Sequence, residues 1–321
     1  MILRGLVACA LLASFMLCTS SHATAHEIKA GILGAFLEGD VRSDTQMVLI
    51  IPGSGAVNRD GNLPLAGMKP AIYKRLAEGL AEHGISSVRI DKRGMFSSAA
   101  PEVNPNAASM EIYADDVRIW VNYLKQEYDR ECIWLLGHSE GGIVSLLAAS
   151  QSQEGICGVI LAATPGRKLG IVLREQMHRL LADTALLPAA LAAIDSLEQG
   201  KTFDTATMPS PLRSFFRQAV QPGLIDMLRQ DPASLLTPLT VPVLILQGEK
   251  DNQVTQEDAQ ALHSANPGTS LVLLPKVTHM LKEQPTGISS HVTYVDPDLP
   301  IAEMVIEKIA AFISGNKENT E

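Results

Sequence analysis

Along most of the chain, short apolar runs alternate with segments of helical periodicity. MVLIIPGSG (47–55) is an unbroken apolar run closed by a glycine turn, and it predicts a strand buried on both faces. AIYKRLAEGLAEHG (71–84) repeats apolar positions at helical spacing and ends in Gly84, a residue suited to a helix C-cap. ISSVRIDKRG (85–94) predicts the next strand. MEIYADDVRIWVNYLKQEY (110–128) sets Ile112, Val117, Trp120, Val121 and Leu124 mostly along one helical face. The strand CIWLLG (132–137), the helix GGIVSLLAAS (141–150) and the strand GVILAAT (158–164) continue the alternation. Such a sequence of elements predicts an α/β protein with a mostly parallel central sheet flanked by helices.

The alternation stops at Gly166. As far as about Leu236 the pattern is helical and broken by prolines, with candidate helices in LGIVLREQMHRLLADT (169–184), LPAALAAIDSLEQG (187–200) and PLRSFFRQAV (211–220). Strand and helix signals return in VPVLILQGEKD (241–251), TQEDAQALHSA (255–265), SLVLLP (270–275) and IAEMVIEKIAAFIS (301–314). The expected organisation is a core of residues 26–165 and 237–315, a helical cap inserted at 166–236, and a polar tail at 316–321. The segment LGAFLEGDVRSDTQMV (33–48) carries a weaker strand signal and predicts an irregular second strand.

Composition narrows the class. The chain is 46% apolar and 19% charged, with a formal charge of −9, and its basic residues form no cluster, so nucleic acid is not an expected partner. The first residues read as a leader: Arg4, then the 14-residue apolar run Gly5–Cys18, then Ala23-Thr24-Ala25 as a cleavage site. A membrane span needs roughly 20 apolar residues, so cleavage after Ala25 and export to the periplasm or beyond is the expectation, with an uncleaved anchor as the alternative. No stable membrane insertion is expected after cleavage. Losing Arg4 takes the charge from −9 to −10. Cys132 and Cys157 remain, seven residues before Ser139 and Thr164 respectively. If these runs are neighbouring parallel strands of similar register, the two sulfurs can bond. Two buried free thiols are the equal alternative.

The chemistry centres on LLGHSEGG (135–142). The bare pattern Gly-x-Ser-x-Gly recurs by chance too often to decide anything. Here, however, Ser139 lies between an apolar strand and a helix opening with Gly141 and Gly142, the context of a nucleophile elbow at the carboxyl end of a sheet. A serine nucleophile needs a base held by a third group. His279, just beyond SLVLLP, and Asp251, just beyond VPVLILQG, would lie on the same edge; Glu249 is the rival acid, and His138 reads as structural. Acyl transfer also needs oxyanion donors, expected from the backbone N–H groups of Glu140 and of Ser54 in the glycine-rich turn. Arg59, Asp60, Asp91 and Arg93 read as charged pairs fixing loops near the site, and Arg93 or Arg167 as partner to the Glu140 carboxylate. The histidines are scattered and the mature cysteines lack metal-ligand spacing, so neither metal nor cofactor is expected.

PGSGAVNRDGN (52–62), RIDKRGMFSS (89–98), GHSEGG (137–142), TPGR (164–167), GEKDNQV (248–254) and Thr278-His279 together resemble the α/β-hydrolase superfamily, near its bacterial carboxylesterases and serine-aminopeptidase-like members. The resemblance runs from about Ile28 to Ser314. It implies an α/β-hydrolase fold, Ser139, Asp251 and His279 as the triad in family order, and a small-molecule acyl ester as substrate. An exopeptidase acting on small peptides, an acyltransferase and a non-catalytic binding module stay open. Oligomeric state is not legible.

Overall fold

The computed structural model describes residues 24–42 and 44–316. Their strands are β1 (Thr24–Ala30), β2 (Leu33–Gly39), β3 (Gln46–Ile51), β4 (Ile85–Ile90), β5 (Ile133–His138), β6 (Ile156–Ala162), β7 (Val243–Gly248) and β8 (Ser270–Leu274). All lie in one sheet of spatial order β1-β2-β4-β3-β5-β6-β7-β8. β2 pairs antiparallel with β1 and β4, and every pairing from β4 to β8 is parallel. This is the mostly parallel, helix-flanked sheet that the alternating pattern predicts. Most of the expected leader lies outside the described residues; Thr24 and Ala25 open β1 opposite Gly39 and Glu38.

The helices are α1 (Ile72–Glu82), α2 (Met110–Glu127), α3 (Glu140–Gln151), α4 (Leu169–Leu181), α5 (Leu187–Glu198), α6 (Ser210–Phe215), α7 (Gln221–Leu228), α8 (Pro232–Leu236), α9 (Gln256–Ala265), α10 (Val292–Val295) and α11 (Glu303–Gly315). Period-two alternation along the strands builds two cores. Met47, Leu49 and Ile51 of β3 pack with α2, α3 and α9, while Val48 and Ile50 pack with α1 and α11. Trp120 anchors the first core. Trp134 anchors the second, edge-on to Phe312 with its indole N–H donating to Gln46 Oε1 at 2.8 Å. Each aromatic keeps its apolar body in the core, where burial stabilises by a few kcal/mol in order of magnitude.

Two sequence expectations need correction. β2 is regular, pairing without interruption on both sides. Leu33, Ala35 and Leu37 point inward, and Phe36 points outward with the Arg59 and Arg89 guanidinium carbons 5.4 and 4.9 Å from its ring centre. Gly34 weakens the strand signal for a tertiary reason: a Cβ there would collide with Ser97, and its N–H donates to Ser98 Oγ at 2.8 Å. In the cap, PLRSFFRQAV does not form one helix. α6 stops at Phe215, because the buried Gln221 amide draws the Phe216 carbonyl (2.9 Å) and both Phe203 backbone groups (2.8 and 3.0 Å) to itself. The remainder of the segment is a short 3₁₀ turn, Gln218–Val220, leading into α7. Leu173, Met177, Ile194, Leu197, Phe216 and Leu236 of the cap join the α2–α3 core, so cap and sheet share one apolar interior.

Cys132 and Cys157 are joined, with Cα atoms 5.1 Å apart across the amino-terminal ends of β5 and β6. The bond closes a loop spanning 25 residues, α3 included, for which loop entropy gives a stabilisation of about 3 kcal/mol. The double variant Cys132→Ser/Cys157→Ser should lose about that much unfolding free energy in denaturant titration, and a wild-type chain lacking residues 1–25, and with them Cys9 and Cys18, should titrate no free thiol when unfolded. Two thiols per such shortened chain, or an unchanged midpoint, would count against the bond.

Candidate active site

The sheet order reverses at β3. The chain crosses from β3 to β4 on one side and returns to β5 on the other, so the carboxyl ends of β3 and β5 open a crevice at the topological switch point. Ile51 pairs with Gly137, and the chain beyond each strand therefore emerges side by side: Pro52-Gly53-Ser54 from β3, His138-Ser139 from β5. Four glycines hold this junction closed. A Cβ on Gly137 would strike the Gly141 carbonyl and Gly142; on Gly141, the Ile51 and Pro52 carbonyls; on Gly142, the Thr164 side chain. A Cβ on Gly53 would lie 3.3 Å from the Ser139 Cβ. With strand and helix this close, the connecting residue turns sharply, and Ser139 sits at φ 56°, ψ −123°, a region that non-glycine residues occupy only under constraint. Its N–H is fixed to the Ala162 carbonyl at 2.9 Å, and its half-buried hydroxyl makes no hydrogen bond among the described residues.

β7 and β8 deliver an acid and an imidazole to the same edge. The Asp251 side chain is fully buried and receives Gln253 N–H (2.8 Å), Val254 N–H (3.0 Å) and Gln247 Nε2 (3.3 Å). His279 Nδ1 lies 2.8 Å from Asp251 Oδ2. A carboxylate accepts, so Nδ1 carries the proton and Nε2 keeps its lone pair. Glu249, the rival acid, is exposed. Gly248 permits the arrangement, since a Cβ there would strike the Val277 carbonyl where the His279 loop crosses β7. That loop is closed by Thr278 N–H to the Lys282 carbonyl at 2.9 Å, and Leu281 adopts φ 58° within it.

On the β3 side, three side chains grip the turn. Gly53 N–H donates to Tyr73 Oη at 2.7 Å; the Tyr73 hydroxyl donates in turn to His138 Nδ1 at 3.0 Å; and His138 Nε2–H donates to the His279 carbonyl at 2.8 Å. His138 is thus neutral with a fixed tautomer, and burial, reinforced by the neighbouring His279, lowers its pKa to about 3. From the other direction, Lys92 Nζ donates to the Gly53 carbonyl at 2.7 Å and to Glu140 Oε1 at 3.2 Å. The Glu140 partner is therefore Lys92. Arg93 pairs instead with Asp116, and Arg167 with Glu175 and Asp258, because both point away from the elbow.

A family model described as serine aminopeptidase, S33, matches residues 67–190. Esterase EstD of Thermotoga maritima is 26% identical over 274 residues, which are 83% of this chain and 61% of that protein, so the chain spans about three fifths of that relative. A monoglyceride lipase of Rattus norvegicus is 25% identical over 195 residues, 58% of this chain and 64% of the lipase. Among solved structures, Est1E from Butyrivibrio proteoclasticus with bound ferulic acid superposes with a TM-score of 0.56 at 19% identity, covering 91% of this chain and 99% of Est1E. The chain has the α/β-hydrolase fold. Its similarities are to esterases and to serine aminopeptidases.

The other sequence-selected charges form a scaffold one step from the site. Asp91 Oδ1 accepts Arg59 N–H at 2.7 Å and Asp91 Oδ2 accepts Ser97 Oγ at 2.5 Å, which pins the turn after β4 to the loop after β3. Arg59 pairs with Glu27 and Asp60 with Arg89, rather than with each other. Ser54 is exposed at the mouth of the turn. Sequence reasoning missed Tyr73 and Lys92. Tyr73 looks like one more apolar position of α1, and Lys92 is one cation among charged neighbours; no spacing distinguishes either. It also missed Asp258, fully buried in α9, which anchors the cap entrance by accepting Gly166 N–H at 3.2 Å and the Arg167 guanidinium at 3.0 Å.

Gly141→Ala forces a methyl group into backbone carbonyls that cannot yield, so it should cost more than about 3 kcal/mol of stability or leave the chain insoluble; a soluble variant with the wild-type melting temperature would contradict the steric account. Lys282 is buried with its ammonium on the Asp296 carbonyl at 2.7 Å, and burial lowers its pKa to about 8, with Asp296 and Asp298 opposing and Arg75 assisting. From about pH 8 to 10.5 the unfolded chain keeps a proton that the native state has lost, so this group makes stability rise with pH across that window. Melting curves should show a gain of about 2–3 kcal/mol in wild type relative to Lys282→Met between pH 7 and pH 10. Parallel pH profiles would refute it.

Proposed function

We propose that the protein is a serine hydrolase cleaving carboxylic esters with short acyl chains. The observation that carries this reading is the Asp251–His279 pair at 2.8 Å, its free Nε2 on the same sheet edge as the constrained Ser139. Ser139 Oγ attacks the ester carbonyl as His279 Nε2 takes its proton, and the carbonyl oxygen becomes an oxyanion held by the N–H groups of Ser54 and Glu140. The intermediate collapses, the C–O bond to the alcohol breaks, and His279 returns the proton to the leaving oxygen. Water, deprotonated by His279, then releases the acyl group and restores Ser139. Asp251 keeps the imidazole oriented and stabilises its cation. Arg59, Asp60, Asp91 and Arg93 act by holding loops.

The similarity to esterases supports ester bonds as the target. A cap that commits Leu173, Met177 and Ile194 to the shared core has less apolar surface to offer a long chain, which supports short acyl groups. The exopeptidase reading would require a free carboxylate for the substrate amine, and Glu140, buried and paired with Lys92, is a poor one. We also propose that the protein is exported with its leader removed near Ala25. The Cys132–Cys157 bond suits an oxidising compartment, and no helix among the described residues is long and apolar enough to cross a membrane.

Hydrolysis of p-nitrophenyl acetate, butyrate, octanoate and palmitate tests the reading. Activity should fall with chain length and drop by at least about 10³-fold in Ser139→Ala. Faster turnover of aminoacyl p-nitroanilides than of any ester would favour the peptidase instead.

A further inference from the structure

Lys92 is 7% exposed and lies two residues beyond β4, a strand that contributes none of the reacting groups. Its ammonium has two partners, and they belong to the two backbone segments that carry the oxyanion donors. One is the Gly53 carbonyl at 2.7 Å; the other is the Glu140 carboxylate at 3.2 Å. In a trans peptide the carbonyl and the following N–H point in opposite directions, and among the described residues no peptide is cis. Gripping the Gly53 oxygen from the buried side therefore turns the Ser54 N–H to the open side, where Ser54 is exposed and its N–H has no acceptor among the described residues. The other end of Gly53 is held by Tyr73, so the peptide cannot rotate to relieve either contact. Glu140 is the residue whose own N–H opens α3, and its carboxylate keeps the ammonium at this point.

We propose that Lys92 is the positioning residue of the oxyanion hole. It aims the Ser54 N–H by fixing the Gly53–Ser54 peptide plane, and through Glu140 it locks that plane to the start of α3, so that both donors keep one spacing. A flipped peptide would present the Gly53 carbonyl oxygen to the developing anion, replacing a donor by an acceptor. The inference rests on the serine-hydrolase reading and adds to it the residue that sets the donor geometry. It differs from a purely structural role in what it moves. Aim of the donor matters to the tetrahedral state and little to the ground-state ester.

The test uses the full chain, p-nitrophenyl acetate, and a short alkyl trifluoromethyl ketone, which forms a tetrahedral adduct with the serine. Lys92→Met should lower kcat about 10- to 100-fold with KM within threefold, and should weaken the ketone by the same factor as kcat/KM. Because Lys92→Met strands the Glu140 carboxylate in the interior, the neutral pair Lys92→Met/Glu140→Gln is measured beside it. The pair should melt near wild type and keep the same deficit in kcat and in ketone affinity. If the neutral pair recovers wild-type kcat, Lys92 serves only to neutralise Glu140 and the proposal falls. A loss confined to KM, with ketone affinity unchanged, overturns it too. A wild-type chain that neither hydrolyses the ester nor is labelled at Ser139 by a fluorophosphonate removes the hydrolase reading itself, and this inference with it. An active, labelled wild type matched by its Lys92 variants removes this inference alone.

Discussion

Helix α3 approaches the end of β3 so closely that only hydrogen fits between them, and the rest of the site hangs on that approach. Gly141 lies against the Ile51 and Pro52 carbonyls, Gly137 against the first turn of the helix, and Gly142 against Thr164. A connection this tight leaves Ser139 no room in an ordinary helical or extended conformation. The same approach brings the start of α3, with the Glu140 N–H, beside the turn after β3. The strained Ser139 and the neighbouring backbone of the proposed oxyanion hole are thus two consequences of one steric fact.

Around that junction, burial makes every polar group depend on its partner. Asp251 is stripped of water but receives four donors; Glu140 and Lys92 are buried as a pair; Asp258 is buried beneath the Arg167 guanidinium. Removing either member of such a pair leaves a charge in a medium that solvates it poorly, so these contacts persist together or fail together. The result is a site with little freedom to reorganise, as the proposed stabilisation of a developing anion requires. The Tyr73–His138 chain extends this rigidity, tying the turn after β3 to the backbone of His279 through a histidine that burial keeps uncharged.

The cap is joined to the machinery at two levels. Its apolar residues complete the core that covers α2 and α3, and its entrance is clamped by Asp258. Gln176 and Arg179 of α4 also donate to the Gln253 carbonyl, two residues beyond Asp251, at 3.0 and 3.2 Å. The loop that holds the acid therefore feels where the first cap helix sits.

Periodicity carried most of the fold in this chain. Runs such as MVLII and CIWLL are apolar at every position because both faces of a parallel sheet are covered, and that pattern needs no tertiary knowledge to read. GHSEGG was legible for a related reason: glycine at three fixed positions is a local record of a close approach. Asp251 and His279 could be picked out because each follows an apolar strand, which puts them on one edge. β2 and the split of α6 were not legible. Gly34 and Gln221 answer to Ser97, Ser98, Phe203 and Phe216, partners that only folding brings near. The charged residues were legible as a set and illegible as pairs. Coulomb attraction falls with distance in space, and sequence separation says little about that distance once β4 has been threaded beside β3. So the amino-acid sequence by itself determined the sheet, the elbow and the residues available for chemistry. The tertiary structure alone decided that Lys92, and neither Arg93 nor Arg167, meets Glu140, because only the packed strands set which cation can reach the buried carboxylate.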